Sequence, residues 1–90
     1  MIASRDYRAN PHSYTVVDGR STEEHLASHL PESLHIPLAE LDERWTEVPT
    51  HQPIAVVCGN GGGRSIEGAQ ILAGQGLHAD WLEGGTLGNL

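Results

Sequence analysis

One cysteine and the glycine-rich run behind it are the residues of this chain best suited to chemistry. Cys58 is the only cysteine among the 90 residues, and it begins the run Cys58-Gly59-Asn60-Gly61-Gly62-Gly63-Arg64-Ser65. An apolar stretch, 54–57, precedes it and a helical pattern follows, which predicts a strand, a tight loop and a helix N-terminus. Backbone N–H groups in such a loop lack helical partners and can surround an anion. That anion is either the thiolate of Cys58 or a charged substrate beside it.

The side chains of this loop fit such chemistry. A thiolate is the nucleophilic form of cysteine, and nearby N–H groups and an arginine lower the pKa of the thiol, so Cys58 is predicted to be catalytic. The alternative for Cys58 is a small buried apolar role. Arg64 can bind an oxyanion through its forked guanidinium, and a surface salt bridge is its alternative role. Ser65 is expected to cap the helix or hydrogen-bond the thiolate, and Asn60 to adopt a left-handed turn. We expect the run from Gly59 to Ser65 to bind the substrate.

Composition narrows the class of protein. The net charge is −7, with five arginines and no lysine, which argues against nucleic acid or an anionic membrane surface as a partner. A single cysteine excludes an internal disulfide and fits a reducing compartment. The first ten residues are polar and resemble no signal peptide, and no stretch approaches transmembrane length. We therefore expect one soluble, cytoplasmic domain over residues 1–90, as a monomer or weak dimer.

Strands are predicted to alternate with helices. Strands are expected at 14–17, 34–36, 54–57 and 79–82, with a short edge strand at 2–4. This alternation is typical of a parallel sheet, in which ligands bind beyond the carboxyl ends of the strands. Cys58 follows one such end.

Four helical segments are predicted between these strands. The first spans 5–10, and the second follows a capping box at Ser21 and Glu24. Its inward face is expected to carry Leu26 and Leu30. A third helix is predicted from Pro37, with Leu38, Leu41 and Trp45 facing inward. A fourth is predicted from Arg64 to Gln75, ending at Gly76, and its inward residues are Ile66, Ala69, Leu72 and Ala73.

Polar residues elsewhere are predicted to be mainly structural. Asp18 and Arg20 are expected to form an ion pair near the pocket, and Arg20 is also a lesser candidate for substrate contact. His25 and His29 have the i, i+4 spacing of a metal site, but no third ligand is evident and no metal is predicted. His35 is expected to have a hydrogen-bond partner near the end of the sheet.

Four segments together resemble the rhodanese (sulfurtransferase) homology domain. Residues 17–21, Val-Asp-Gly-Arg-Ser, resemble its Asp-x-Arg motif, and residues 29–37 resemble its GHIPGAINIP segment. Residues 58–65 resemble its active-site loop, and residues 81–85 its closing LxGG motif. The resemblance implies one rhodanese-like domain over residues 1–90, with a short C-terminus and a three-layer α/β/α fold around a central, mostly parallel sheet of four to five strands.

The resemblance also implies an activity. The Cys58 thiolate would take a sulfane sulfur from a small anionic donor such as thiosulfate, become a persulfide, and pass the sulfur to cyanide or a thiol, with a protein thiol as one candidate acceptor. No cofactor is implied beyond this covalent intermediate.

Two departures from the family pattern keep other functions open. Arg64 is six positions after Cys58, where the family usually has five, and the resulting C-x5-R spacing is that of rhodanese-fold phosphatases and arsenate reductases. Such enzymes need an acid to protonate the leaving group; the loop contains none, so Glu32 or Glu67 would have to supply it. A non-catalytic sulfur carrier or binding module is a third possibility. The second departure is the chain end at Leu90, which predicts a short or absent final helix and a less covered sheet face.

Overall fold

Four strands form one sheet in which every neighbouring pair is parallel. A computed structural model describes all residues, 1–90. The order is β2-β1-β3-β4, with the bounds β1 Thr15–Asp18, β2 Leu34–His35, β3 Ile54–Val57 and β4 Ala79–Trp81. All four residues of β3 are buried, because this inner strand has neighbours on both sides and is covered on both faces. The predicted edge strand at 2–4 is reduced to a single bridge from Ile2 to Leu82, since a helix begins at Ser4.

The helices are α1 Ser4–Ala9, α2 Thr22–Ala27, α3 Leu41–Arg44 and α4 Gly63–Gly74. Side chains of β3 alternate between the two faces of the sheet. Val56 faces a core shared with α3 and α4, and Val57 faces a second core that contains Tyr7 of α1. The predicted α/β fold of three layers is confirmed. None of these helices combines the length and the apolar character that a membrane span requires.

Helix α2 has the predicted start but is shorter than its sequence pattern suggests. The capping box is confirmed, with the Ser21 side chain accepting from the Glu24 backbone and the Glu24 carboxylate accepting from the Ser21 backbone. Ser28 is extended at φ −165° and ends the helix. Leu30 therefore lies beyond the helix and is buried, whereas Leu26 is 75% exposed. The predicted shared inward face of these two leucines is wrong.

The helix predicted from Pro37 is broken into three short pieces. Turns of 3-10 helix at Leu38–Glu40 and Trp45–Glu47 flank the single α-helical turn α3. Leu41 is fully buried, and Trp45 packs partly buried against the same core.

Helix α4 has the predicted extent within one residue, but its buried face is rotated. Ser65, Gly68, Ala69 and Leu72 are buried, while Ile66 and Ala73 are exposed. The cause is Gly68, where a Cβ would lie 3.0 Å from a methyl carbon of Val56. The missing side chain lets the helix approach the sheet there, which turns Ile66 and Ala73 outward. Gly76, at φ +84°, follows the helix end as predicted.

A buried ion pair joins the end of β1 to the chain that follows it. Asp18 is fully buried and accepts from Arg20 Nε at 3.0 Å and Nη2 at 2.9 Å, which confirms the predicted pair. His25 Nδ1 lies 2.9 Å from the same carboxylate. Burial raises the pKa of Asp18, but the hydrogen bonds from Arg20 and His25 outweigh burial and leave this pKa below its ordinary value.

We expect Asp18→Asn to destabilise the protein by about 3 kcal/mol at neutral pH, because it leaves the Arg20 guanidinium buried without a counter-charge. The measurement is urea unfolding. The pKa of Asp18 is lower in the folded protein, so its stabilisation is present above the ordinary value of 3.8 and is lost as the pH falls through the folded pKa. The gap between wild type and variant should therefore narrow in acid. Glu47→Gln, which removes an exposed partner of Arg44, is the control and should leave the unfolding midpoint unchanged. A constant gap at all pH values would contradict this account.

Candidate active site

Cys58 lies at the junction of strand, loop and helix that its sequence context predicts. It follows the last residue of β3 and is 2% exposed. Gly62 is the N-cap of α4. The sulfur is therefore fixed between the carboxyl end of an inner parallel strand and the N-terminus of a helix of twelve residues, where both ligands and negative charge are favoured.

The loop curls around the sulfur. Gly62 N–H donates to Sγ at 3.1 Å, and the Ser65 hydroxyl lies 3.4 Å from it. The Ser65 N–H donates to the Gly62 carbonyl at 3.2 Å, within the first turn of the helix. Burial raises the pKa of the Cys58 thiol, but the hydrogen bonds from Ser65, Gly62 and Gly61 outweigh it, so the pKa is lowered overall. The arrangement favours a thiolate.

Ser65 and Asn60 show how the loop differs from its predicted details. Ser65 does not cap the helix, because it lies within the first turn; its hydroxyl donates to the Gly62 carbonyl at 2.8 Å and contacts the sulfur. The predicted hydrogen bond from Ser65 to a thiolate stays a prediction, because in this structure the thiol of Cys58 is the donor toward the Ser65 oxygen. The left-handed residue is Gly61 at φ +82°, not Asn60, because glycine adopts this conformation without steric cost. Asn60 is exposed at the rim.

Arg64 is paired with a residue of α2. Its Nη1 and Nη2 bond to the two carboxylate oxygens of Glu24 at 2.8 and 3.1 Å. This is the salt bridge that the sequence offered as the alternative role of Arg64. The guanidinium stays beside the pocket, since Nη2 is 3.7 Å from the position that a Cβ on Gly59 would occupy. Hydrogen bonds from Arg64 and from Ser21 lower the pKa of Glu24 to about 2.

The C-terminal turns hold the loop from the other side, which the sequence did not reveal. Thr86 N–H donates to the Cys58 carbonyl at 2.8 Å, and Leu87 N–H donates to that of Gly59 at 2.9 Å. A Cβ on Gly85 would lie 2.5 Å from the Cys58 carbonyl oxygen and 2.6 Å from Gly61 N. No helix follows β4, in agreement with the predicted short or absent final helix; residues 83–89 form turns packed on the loop. The glycines at 84, 85 and 88 are the feature of the sequence that could have indicated this close packing of two backbones.

The remaining candidates form a structural layer below the loop. His25 stacks on His29 and His35, with ring centroids 4.2 and 4.6 Å apart. His35 Nε2 lies 2.9 Å from the Arg20 carbonyl, which confirms its predicted partnered state. Arg20 is 3% exposed and its guanidinium is held by Asp18, so it is not free for a substrate. No three or more His, Cys, Asp or Glu side chains are grouped closely enough to hold a metal ion.

The class of protein is an α/β domain with a parallel sheet and a cysteine-containing loop after an inner strand. Comparison with known proteins identifies the family. The rhodanese-like domain model matches residues 4–88. The chain is 34% identical over 65 residues to a Bacillus subtilis protein named "Putative sulfur carrier protein YrkF". That match covers 72% of this chain and 35% of the relative, so the chain spans about a third of the relative's length.

Solved structures agree with this assignment. A rhodanese-related protein from Thermoplasma volcanium is 33% identical, with a TM-score of 0.86 over 93% of this chain and 83% of that one. An NAD-dependent persulfide reductase from A. fulgidus is 39% identical, with a TM-score of 0.70 over 83% of this chain but 13% of that one. The chain belongs to the rhodanese-like domain family.

We expect Gly85→Ala to destabilise the protein by about 2 kcal/mol or more, because the new Cβ meets the Cys58 loop and strains a residue at φ +57°. Urea unfolding measures the loss, and the thiol of folded Gly85→Ala should titrate differently from that of wild type. Gly74→Ala is the matched control, since a Cβ there meets nothing within 4 Å. It should be neutral or stabilising by up to about 1 kcal/mol. Equal effects of the two variants would show that the close contact is unimportant.

We expect the Cys58 thiol to react with iodoacetamide with a pH midpoint below that of free cysteine, and Ser65→Ala to move this midpoint upward. The variant removes the Ser65 hydroxyl, which lies 3.4 Å from the sulfur and lowers the pKa of the thiol, and it leaves the burial that raises this pKa. The rate of alkylation against pH gives the midpoint. An unmoved midpoint in a folded Ser65→Ala variant would mean that the backbone N–H groups alone hold the thiolate.

Proposed function

We propose that this chain is a sulfurtransferase that carries sulfane sulfur as a persulfide on Cys58, from thiosulfate or a similar donor to cyanide or a thiol. One observation carries the proposal. The sulfur of the only cysteine accepts a hydrogen bond from Gly62 N–H at 3.1 Å and lies 3.4 Å from the Ser65 hydroxyl oxygen, at the N-terminus of α4. These donors stabilise the attacking thiolate and equally the outer sulfur of a persulfide, which is also an anion.

The reaction needs only groups that the loop supplies. The Cys58 thiolate attacks the sulfane sulfur of thiosulfate; a new S–S bond forms, the old one breaks, and sulfite leaves with its electron pair. Cyanide or a thiolate then attacks the outer sulfur of the persulfide, and the Cys58 thiolate is released. Neither step requires an acid to protonate the leaving group, because sulfite and thiolates leave as anions.

The C-x5-R spacing supports phosphatase or arsenate reductase chemistry as a second candidate, because one more residue gives room for an oxyanion. Two features of the structure weigh against it. The fork of Arg64 is occupied by Glu24, and the pKa of Glu24 of about 2 keeps this carboxylate from serving as a general acid. Two other carboxyl groups were candidates for the general acid. The first, Glu32, lies 3.6 Å from His12 and not in the loop. Glu67 is exposed on α4.

The decisive experiment is intact mass spectrometry of the reduced protein after incubation with thiosulfate and, separately, with the persulfide of cysteamine. We expect the mass of one sulfur atom to be added by at least one donor and removed by cyanide, with thiocyanate as the product. Cys58→Ser should gain no sulfur. Failure of both donors would overturn the proposal. Turnover of an aryl phosphate that Cys58→Ser abolishes would favour the second candidate, and inertness toward every reagent would favour a binding module.

A further inference from the structure

The cation nearest the candidate nucleophile is already neutralised. Arg64 gives two of its nitrogens to the carboxylate of Glu24. Glu24 is fixed in turn by the capping box, since its Oε1 accepts from the Ser21 backbone at 3.2 Å and from the Ser21 hydroxyl at 3.1 Å. The ion pair is therefore held at one place beside the loop, with each side chain still more than a third exposed.

No other cation compensates for this pairing. The chain has no lysine, and its remaining arginines are engaged elsewhere: Arg5 near Asp6, Arg8 with the Gly88 carbonyl, Arg20 with Asp18, and Arg44 with Glu40 and Glu47. An anionic donor that approaches Cys58 meets a protein of net charge −7 with only the loop N–H groups to attract it. To gain Arg64, a dianion such as thiosulfate must displace Glu24.

We propose that Glu24 determines donor specificity, disfavouring dianionic donors and leaving the pocket to persulfides that carry little negative charge near their sulfane sulfur. This inference rests on the proposed function. In the favoured step the Cys58 thiolate attacks the outer sulfur of the donor persulfide, the donor's S–S bond breaks, and its thiolate leaves with the electron pair. A donor persulfide with a positive group near its sulfane sulfur is attracted by the net negative charge of the chain. The ion pair of Arg64 and Glu24 does not repel it, because the two charges cancel.

The test compares Glu24→Gln with Glu23→Gln, its matched control. Both remove one negative charge from the first turn of α2, but Glu23 has no part in the ion pair or the capping box. Glutamine at position 24 preserves the capping function, because Gln also serves at this position of a capping box. The rate of sulfur addition to Cys58 is followed by intact mass with thiosulfate and with cysteamine persulfide.

We expect the rate with thiosulfate to rise about fivefold in Glu24→Gln, the scale of a half-exposed ion pair, and to be unchanged in Glu23→Gln. The rate with cysteamine persulfide should not rise in either variant. The double variant Glu24→Gln/Arg64→Gln should lose the gain, because the gain requires a free guanidinium. Thermal unfolding of the double variant and of each single variant, compared by midpoint temperature, shows that every protein is folded.

The outcomes separate this inference from the proposed function. Loading of wild type by either donor, with equal thiosulfate rates in wild type and Glu24→Gln, overturns the inference alone. An equal gain in Glu23→Gln also overturns it, because bulk charge would then be the cause. The absence of loading by both donors in every variant overturns the proposed function as well.

Discussion

The close approach of two backbones, at residues 58–61 and 84–88, is the contact on which the candidate site depends. Gly85 faces the Cys58 carbonyl and Gly61 N so closely that no Cβ fits. Hydrogen bonds from Thr86 and Leu87 then fix the carbonyls of Cys58 and Gly59. With those carbonyls turned toward the C-terminal turns, the N–H groups of the loop are left to face the sulfur. The hydrogen bonds that lower the pKa of the thiol are thus a consequence of backbone packing some 25 residues along the chain.

A second constraint acts from the side of β1. Asp18 is opposite Val57 in the sheet and binds both Arg20 and His25. Because His25 belongs to α2, the buried carboxylate fixes the helix that carries Glu24. The distance between Glu24 and Arg64 therefore depends on a buried network that touches neither of them. The short connections between these elements thus link the buried ion pair of Asp18 to the position of Glu24 at the candidate site.

The parts of this structure that could be predicted are those with local causes. The apolar run of β3, the capping box of α2 and Gly76 after α4 each depend on neighbours within a few residues. Periodicity correctly predicts that Ala69 and Leu72 of α4 face inward but not that Ile66 and Ala73 are exposed, because the rotation of the helix depends on Gly68 against Val56, a contact between distant parts of the chain. The pairing of Arg64 with Glu24 spans 40 residues and has no local signal. In the sequence, the capping box already explains a glutamate at position 24, so nothing there indicates a second partner for it.

The loop shows why a spacing between two residues does not by itself define a cavity. Counting from Cys58 to Arg64 suggests a wider cradle than the family usually has. In the structure, part of this length is a turn at Gly61, at φ +82°, which packs against Gly84. The Gly62 N–H still donates to the sulfur at 3.1 Å, and Arg64 is paired with Glu24, a carboxylate outside the loop. The spacing alone is compatible with either a sulfur or an oxyanion, and it does not reveal that Arg64 is paired with Glu24.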